Sequence, residues 1–395
     1  MTQHSGKTID VTVYGATGFT GQLVAEYLAR TYPEGSGVRW AMAGRSMEKL
    51  EAVRAAIGAP GDTPLLVADS SDRSALEAMA LQSKVILTTV GPYQLYGDEL
   101  LAVCAETGTD YVDLCGEPAW MRQKIEAYQQ TAAQSGARIV FSCGFDSIPT
   151  DMGVFYLQQE SQRQFGAPCT KVNARVLKIQ GTSSGGTVAS FKASIAAAMK
   201  DPTLFEVLKD PFALTLDFVG PKQPPTSKPR EDDAMPGLWV APFVMAPINT
   251  KNIHRSNQLL GHAYGEGFLY NEMLVTGPGD KGKAIAEKLQ ASGGGLAVNA
   301  DLEPGEGPSR EEQEAGHYEI LFLGETADGQ TLQTGVQGDR DPGYGSTSKM
   351  IAEAALCLVQ DRTDTPAGIW TPAPALGEAL IARLQAKAGL TFDVR

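Results

Sequence analysis

Ile9-Asp10-Val11-Thr12-Val13-Tyr14-Gly15-Ala16-Thr17-Gly18-Phe19-Thr20-Gly21 runs from a short β-rich segment into a glycine-punctuated turn. Apolar Leu23, Val24, Tyr27 and Leu28 then recur at helical spacing as far as Arg30. A strand, a tight glycine turn and a helix, in that order, make a corner suited to a phosphate. Gly15 permits the sharp exit from the strand. Gly18 lets a pyrophosphate approach the backbone, and Gly21 lets the helix close on the sheet. The first helical N–H groups and the positive helix end then face the anion. The spacing is GxxGxxG rather than GxGxxG, so the position between strand and helix carries the reading. Gly15, Ala16, Thr17, Gly18, Phe19, Thr20 and Gly21 are therefore assigned to a dinucleotide; the alternative is a structural turn with no ligand.

Outward from this corner, strands and helices alternate. Val38–Ala43, Leu65–Ala68, Val85–Val90, Tyr111–Leu114 and Arg138–Ser142 read as further strands. Helices are predicted from Ser46 to Ile57, Asp72 to Met79, Leu100 to Glu106 and Pro118 to Gln134. Alternation at this spacing implies βαβ units and a parallel, Rossmann-type sheet. Beyond Asp146 the rhythm changes. Lys171–Ile179, Gly267–Val275, His317–Leu323 and Thr331–Gln337 read as longer strands, the last two paired across Asp328-Gly329. Pro221–Pro236 reads as a surface loop and Asp301–Glu314 as an acidic mobile segment. Helices are expected over Ser346–Leu358 and Leu376–Ala388. The fold expected is α/β, with a second α+β domain on a mainly antiparallel sheet. The divisions are 1–146 for the cofactor, 147–340 for substrate and dimerisation, and 341–395 for C-terminal helices packing back on the first domain.

The second strand ends in Ala43-Gly44-Arg45-Ser46. An NAD site places a carboxylate here to accept from the ribose hydroxyls. Arg45 instead matches a 2′-phosphate, with Ser46 beside it, and selects NADP(H) as cofactor. A solvated arginine at a helix start is the plainer alternative. Asp69, Gly91 and Pro92, at the ends of strands three and four, border the cofactor by position; a turn aspartate and a turn glycine are the alternatives.

The chain has 395 residues and a net charge of −13. That size accommodates two or three domains with full cores, and the acidic balance argues against nonspecific nucleic-acid binding. Five scattered cysteines do not read as a disulfide framework, which points to a reducing cytoplasm. No leader pattern and no uncharged run of spanning length is evident, so the expected location is cytoplasmic, at most peripheral to a membrane.

Besides this corner the chain carries the segments Thr89-Val90-Gly91-Pro92-Tyr93, Tyr111-Val112-Asp113-Leu114-Cys115-Gly116-Glu117, Cys143-Gly144-Phe145-Asp146-Ser147-Ile148-Pro149-Thr150-Asp151 and Asp339-Arg340-Asp341-Pro342-Gly343-Tyr344. The chain resembles the saccharopine dehydrogenase-like oxidoreductases, and within them the branch that includes trans-acting enoyl reductases of lipid biosynthesis. The resemblance covers nearly the whole chain. It implies an NADPH-dependent enzyme acting on an enoyl or lipid-like small molecule, and a homodimer. Cys143, Gly144 and Asp146 match the Cys-Gly-x-Asp segment of the true saccharopine reductases. Ser147-Ile148-Pro149 stands where those carry Pro-Gly, which sets an amino-acid substrate in doubt.

Hydride transfer asks the protein for positioning and a proton or hydrogen-bond donor. Tyr93 is the preferred donor, with Tyr96, Cys143 and Asp146 beside it at the strand ends; packing tyrosines, a core cysteine and a helix-capping aspartate are the alternatives. None of the 12 tyrosines is followed four residues on by lysine, and the four histidines show no metal spacing, so no metal is expected. Gly181-Thr182-Ser183-Ser184-Gly185 matches the letters of a hydrolase elbow within a loop whose composition meets that pattern by chance. A saccharopine-type amino-acid dehydrogenase and a non-catalytic NADP(H) sensor are the competing functions.

Overall fold

The computed structural model describes residues 6–145, 147–181, 190, 193, 196, 199–201, 203–291 and 307–395. Strands are numbered in chain order. The first half is the expected alternation: β1 Ile9–Tyr14, α1 Phe19–Thr31, β2 Trp40–Gly44, α2 Met47–Ala56, β3 Leu65–Val67, α3 Arg73–Gln82, β4 Ser83–Thr88, α4 Tyr93–Tyr96, α5 Asp98–Thr107, β5 Asp110–Val112, α6 Pro118–Ser135, β6 Arg138–Val140 and α7 Ile148–Phe165. Every residue of β1 is buried, as a central strand covered on both faces requires. It pairs in parallel with β2 (Val11 opposite Trp40) and with β4 (Val11 opposite Val85). Ser46 caps α2 through the Lys49 N–H, and Asp72 caps α3 through the Ala75 N–H. β5 and β6 both begin at a buried ion pair between Asp110 and Arg138, and the Arg138 Nη1 also donates to the Arg362 carbonyl at 2.6 Å.

The second sheet contains β7 Cys169–Gln180, β8 Arg230–Glu231, β9 Leu238–Pro242, β10 Leu269–Pro278, β11 His317–Thr326 and β12 Thr331–Gly338. The hairpin β11–β12 has the predicted pairing, with Leu323 opposite Gln333. The sheet is mixed, since β7 and β10 run parallel while its other neighbours are antiparallel. Arg175 and Asp232 form an ion pair at 2.7 Å within it, both buried. The proline-rich loop closes into the two-residue β8, and the acidic segment ends in a helix, Arg310–Ala315, with a Ser309–Glu312 capping box. That capped helix corrects the expectation of a mobile stretch as far as Glu314.

The C-terminal strands return to both sheets. β13, Gly368–Trp370, adds in parallel to β6, completing a seven-stranded sheet ordered β13-β6-β5-β4-β1-β2-β3. β14, Leu390–Val394, adds to β12 at the edge of the second sheet, ordered β14-β12-β11-β7-β10-β9-β8. The helix Thr347–Gln360, which precedes β13, lies on α1. Its buried Glu353 accepts from the Tyr27 and Tyr32 hydroxyls at 2.7 Å and pairs with Arg383 at 3.0 Å.

Candidate active site

The glycine corner is built as its sequence requires. Gly15 has φ +89°, and a Cβ there would lie 2.7 Å from the Val90 side chain. A Cβ at Gly21 would lie 2.1 Å from the Gly15 carbonyl oxygen, so only glycine lets α1 close on the turn. At Gly18 the nearest atom to such a Cβ is the Gly15 oxygen at 3.3 Å. Gly18 is the N-cap of α1 and no side chain caps that helix. The first N–H groups of α1, at Phe19, Thr20 and Gly21, have no acceptor within the helix, an arrangement suited to an anion. The loop is fixed from behind: the Gly15 and Ala16 N–H groups donate to the Ala43 carbonyl at 3.0 and 3.1 Å. Thr17 packs beside Gly44. The Phe19 ring turns away, edge-on to Tyr344 at 4.9 Å. The residues present fit a dinucleotide pyrophosphate.

At the adenosine side, Arg45 follows β2 directly and is exposed. The Ser46 hydroxyl is engaged as the α2 cap. Asp69 accepts from the Ser71 N–H and hydroxyl at 2.9 and 2.6 Å, which holds its carboxyl below the ordinary range, with Arg45 contributing less. Burial, and after it the Asp69 charge, pushes the Tyr14 phenol up to about 12. Arg45, Asp69 and Tyr14 thus share one electrostatic neighbourhood at the ends of β1, β2 and β3.

The other end of the rim is differently made. Gly91 is exposed and joined to the buried Pro92 by a cis peptide bond. Tyr93 is buried, its hydroxyl donating to the Thr88 carbonyl at 3.2 Å and accepting from the Leu114 N–H at 3.0 Å. Burial, followed by the Asp113 and Cys115 charges, raises this phenol well above its ordinary value. The Cys143 thiol is buried and points at the Val140 carbonyl at 3.5 Å, and burial raises it likewise. The proton of Tyr93 is therefore committed to the backbone, and Cys143 stays a thiol. Tyr96, on the same short helix, is 47% exposed. Asp146, and 182–185 of the Gly181–Gly185 loop, lie outside the described residues.

Two carboxylates that the sequence reading left without roles hold this end together. Asp113 accepts from the Ser142 and Cys115 N–H groups at 2.8 and 3.0 Å and from the Tyr111 hydroxyl at 3.0 Å. Glu117 accepts from the Tyr93 and Gln94 N–H groups at 2.8 and 3.0 Å, capping α4 from the following loop. Their signal was an acidic residue just past a strand, but their partners lie 2 to 29 residues away. Between α4, the start of α6 and the helix Thr203–Lys209 opens a crevice of about 230 Å³, lined by Gln94, Glu117, Trp120, Leu204 and Leu208 among others.

Residues 11–140 match the saccharopine dehydrogenase NADP-binding domain family. A candidate trans-acting enoyl reductase of Mycobacterium tuberculosis is 40% identical over 412 aligned positions, spanning 98% of this chain and 97% of its own. The trans-acting enoyl reductase of Mycobacterium bovis is 39% identical, spanning 96% of each chain. Among solved structures, apo saccharopine dehydrogenase (L-Glu forming) of Saccharomyces cerevisiae shares the fold, with a TM-score of 0.56 at 11% identity over 98% of this chain and 99% of that one. Relatives of this identity and coverage, together with the NADP-binding domain match, make the chain an NADP(H)-dependent oxidoreductase that belongs to the saccharopine dehydrogenase-like family, in the branch of the trans-acting enoyl reductases.

Proposed function

We propose that the chain reduces the double bond of an enoyl or related lipid-like substrate at the expense of NADPH. The observation that carries this reading is the relation to trans-acting enoyl reductases over 96–98% of the chain, which includes the second sheet as well as the cofactor corner. Residues 1–146 then serve the cofactor and 147–340 the substrate, while 341–395 tie the two together. Bound NADPH supplies the hydride. The N–H groups of Phe19, Thr20 and Gly21 hold its pyrophosphate, and exposed Arg45 takes the 2′-phosphate. Gly91, without a side chain at the end of β4, leaves the rim open. Reduction of an enoyl thioester also needs a proton at the carbon next to the carbonyl, and Tyr96 is the exposed rim hydroxyl offered for it. The crevice has an apolar side at Trp120, Leu204 and Leu208 for an acyl chain and a polar side at Gln94, Asp98 and Gln123.

The test is NADPH consumption by the purified chain with α,β-unsaturated acyl thioesters of increasing length. The expected result is turnover that improves with chain length and falls when Leu204→Trp or Leu208→Trp fills the crevice. Turnover confined to pairs of amino acid and oxo acid would replace this reading with an amino-acid dehydrogenase. Tight NADPH binding with no consumption by any acceptor would replace it with a sensor.

A further inference from the structure

Ser147, Asn249, Asn252 and Glu272 are all at most 1% exposed, and they come from three elements far apart in sequence. Ser147 is the N-cap of α7, just past the β6 rim. Asn249 and Asn252 are three residues apart on the helix Ala246–Leu259, and Glu272 belongs to β10 of the second sheet. The Ser147 hydroxyl donates to Asn249 Oδ1 at 3.0 Å and accepts from Asn252 Nδ2 at 2.6 Å. Asn249 Nδ2 donates to Glu272 Oε1 at 3.1 Å. Each direction is fixed by the next: the carboxylate sets the Asn249 amide, which sets the hydroxyl proton of Ser147.

We propose that Glu272 is a positioning residue of the reductive site, acting through Asn249 on Ser147 and so on the turn that carries Cys143 and Gly144 into α7. The proposal rests on the reductase reading above, with the nicotinamide taken to lie at the β4–β6 end of the rim, opposite Arg45. Three observations support it. The chain is continuous and its members are buried, so it acts at low dielectric, where directed hydrogen bonds hold geometry most firmly. It is also costly. Asn252 Oδ1 is buried without a protein partner, and the fully buried Glu272 carboxyl, which bonds the Tyr270 hydroxyl two residues away on the same strand face, is strongly desolvated. Packing alone is served better by apolar side chains of the same volume. Finally, the chain joins the second sheet to the first-domain rim at the point where α7 begins. A group held there through two further side chains is displaced by small shifts, and displacement of a reacting geometry by about 1 Å costs up to ~10²-fold in rate.

The test uses full-length protein with Glu272→Ala, Glu272→Gln, Ser147→Ala and the double variant Ser147→Ala/Glu272→Ala. Glutamine keeps an oxygen for Asn249, whereas alanine does not. Amide hydrogen exchange without any ligand is read over the segment 141–148. Exchange there should rise at least about tenfold in Glu272→Ala and stay at the wild-type rate in Glu272→Gln. With NADPH and a trans-2-enoyl N-acetylcysteamine thioester, Glu272→Ala should lower kcat by about tenfold with the KM for NADPH unchanged. Glu272→Gln should restore it, and adding Glu272→Ala to Ser147→Ala should cost nothing further. If Glu272→Ala does not fold, Asn249→Ala carries the same readouts. Wild-type exchange and kcat in the alanine variants would overturn the proposal, as would additive losses in the double variant. If the wild-type chain does not turn over the thioester, the enoyl reading fails, and the hydrogen exchange still decides the positioning role.

Discussion

The two ends of the same sheet edge are built on opposite plans. At the adenosine end the chain offers backbone N–H groups without acceptors, a glycine turn and an exposed Arg45. At the β4–β6 end, Tyr93, Asp113, Cys115, Glu117 and Cys143 are buried and bonded to one another or to the backbone of the neighbouring strand ends. The first plan leaves its polar capacity for a ligand. The second spends that capacity on holding three strand ends and α4 in register. Residues just past parallel strands thus divide into those that meet the ligand and those that shape its seat.

The largest effects should separate two glycines of the corner. Gly18→Val is expected to fold, since its Cβ meets nothing closer than 3.3 Å, yet to weaken NADPH binding by about a hundredfold or more by filling the pyrophosphate space. Gly21→Val sets a Cβ 2.1 Å from a carbonyl oxygen and should lose stability and binding together. Calorimetric titration beside thermal unfolding distinguishes them. Normal NADPH binding by Gly18→Val would remove the corner from the site.

Next comes the adenosine side chain. Arg45→Ala should cost NADPH roughly 1.5–3 kcal/mol and leave NADH nearly untouched, abolishing a preference of about tenfold or more. A preference that survives the substitution would place the 2′-phosphate elsewhere.

At the opposite end, Tyr93→Phe is expected to act on the fold. It strips the Leu114 N–H of its acceptor and the Thr88 carbonyl of its donor, for about 1–3 kcal/mol of stability. Tyr96→Phe should leave stability alone and slow turnover. Should Tyr93→Phe prove fully stable but slow, the contrast between the two ends would be broken.

The smallest effect is in pH. Burial raises the carboxyls of Asp151 and Glu272 to about 7. A raised carboxyl favours folding fully below its unfolded value near 4 and loses that contribution as the pH climbs through 7. His254 works against them: burial lowers it to about 3, so its contribution is present above its unfolded value and is lost as the pH falls below about 6.5. Moving from about pH 8 to about pH 6 should therefore raise stability by a net of order 2 kcal/mol. Glu272→Gln should remove about 1.4 kcal/mol of that change, roughly two-thirds of it, as followed by chemical unfolding at each pH.

The alternation through β6, the caps at Ser46 and Asp72 and the β11–β12 hairpin were legible because each is written in neighbouring residues. The short helix Tyr93–Tyr96 was not. It is four residues long and its cap comes from Glu117, 24 positions later. The edge strands β13 and β14 carry only 3 and 5 residues. Too few positions are present to show a period, and they are strands because a partner edge lies beside them. Arg45 stood out in the sequence because it stands at a strand end where an NAD site would carry a carboxylate. The roles of Tyr93 and Cys143 were not legible, since a residue type at a strand end leaves open which way its donor turns.

By itself, the sequence determined a parallel sheet and a glycine corner between β1 and α1 in which Gly15 and Gly21 leave no room for a side chain. Periodicity and backbone sterics act within a few residues, and there they leave little choice. Tertiary structure alone decided that the phenol of Tyr93 serves the backbone. It also decided that the C-terminal strands return to both sheets, and that Glu272 reaches Ser147 across 125 positions of chain through Asn249. Hydrogen bonds among buried groups depend on which elements pack together, and that choice belongs to the whole core.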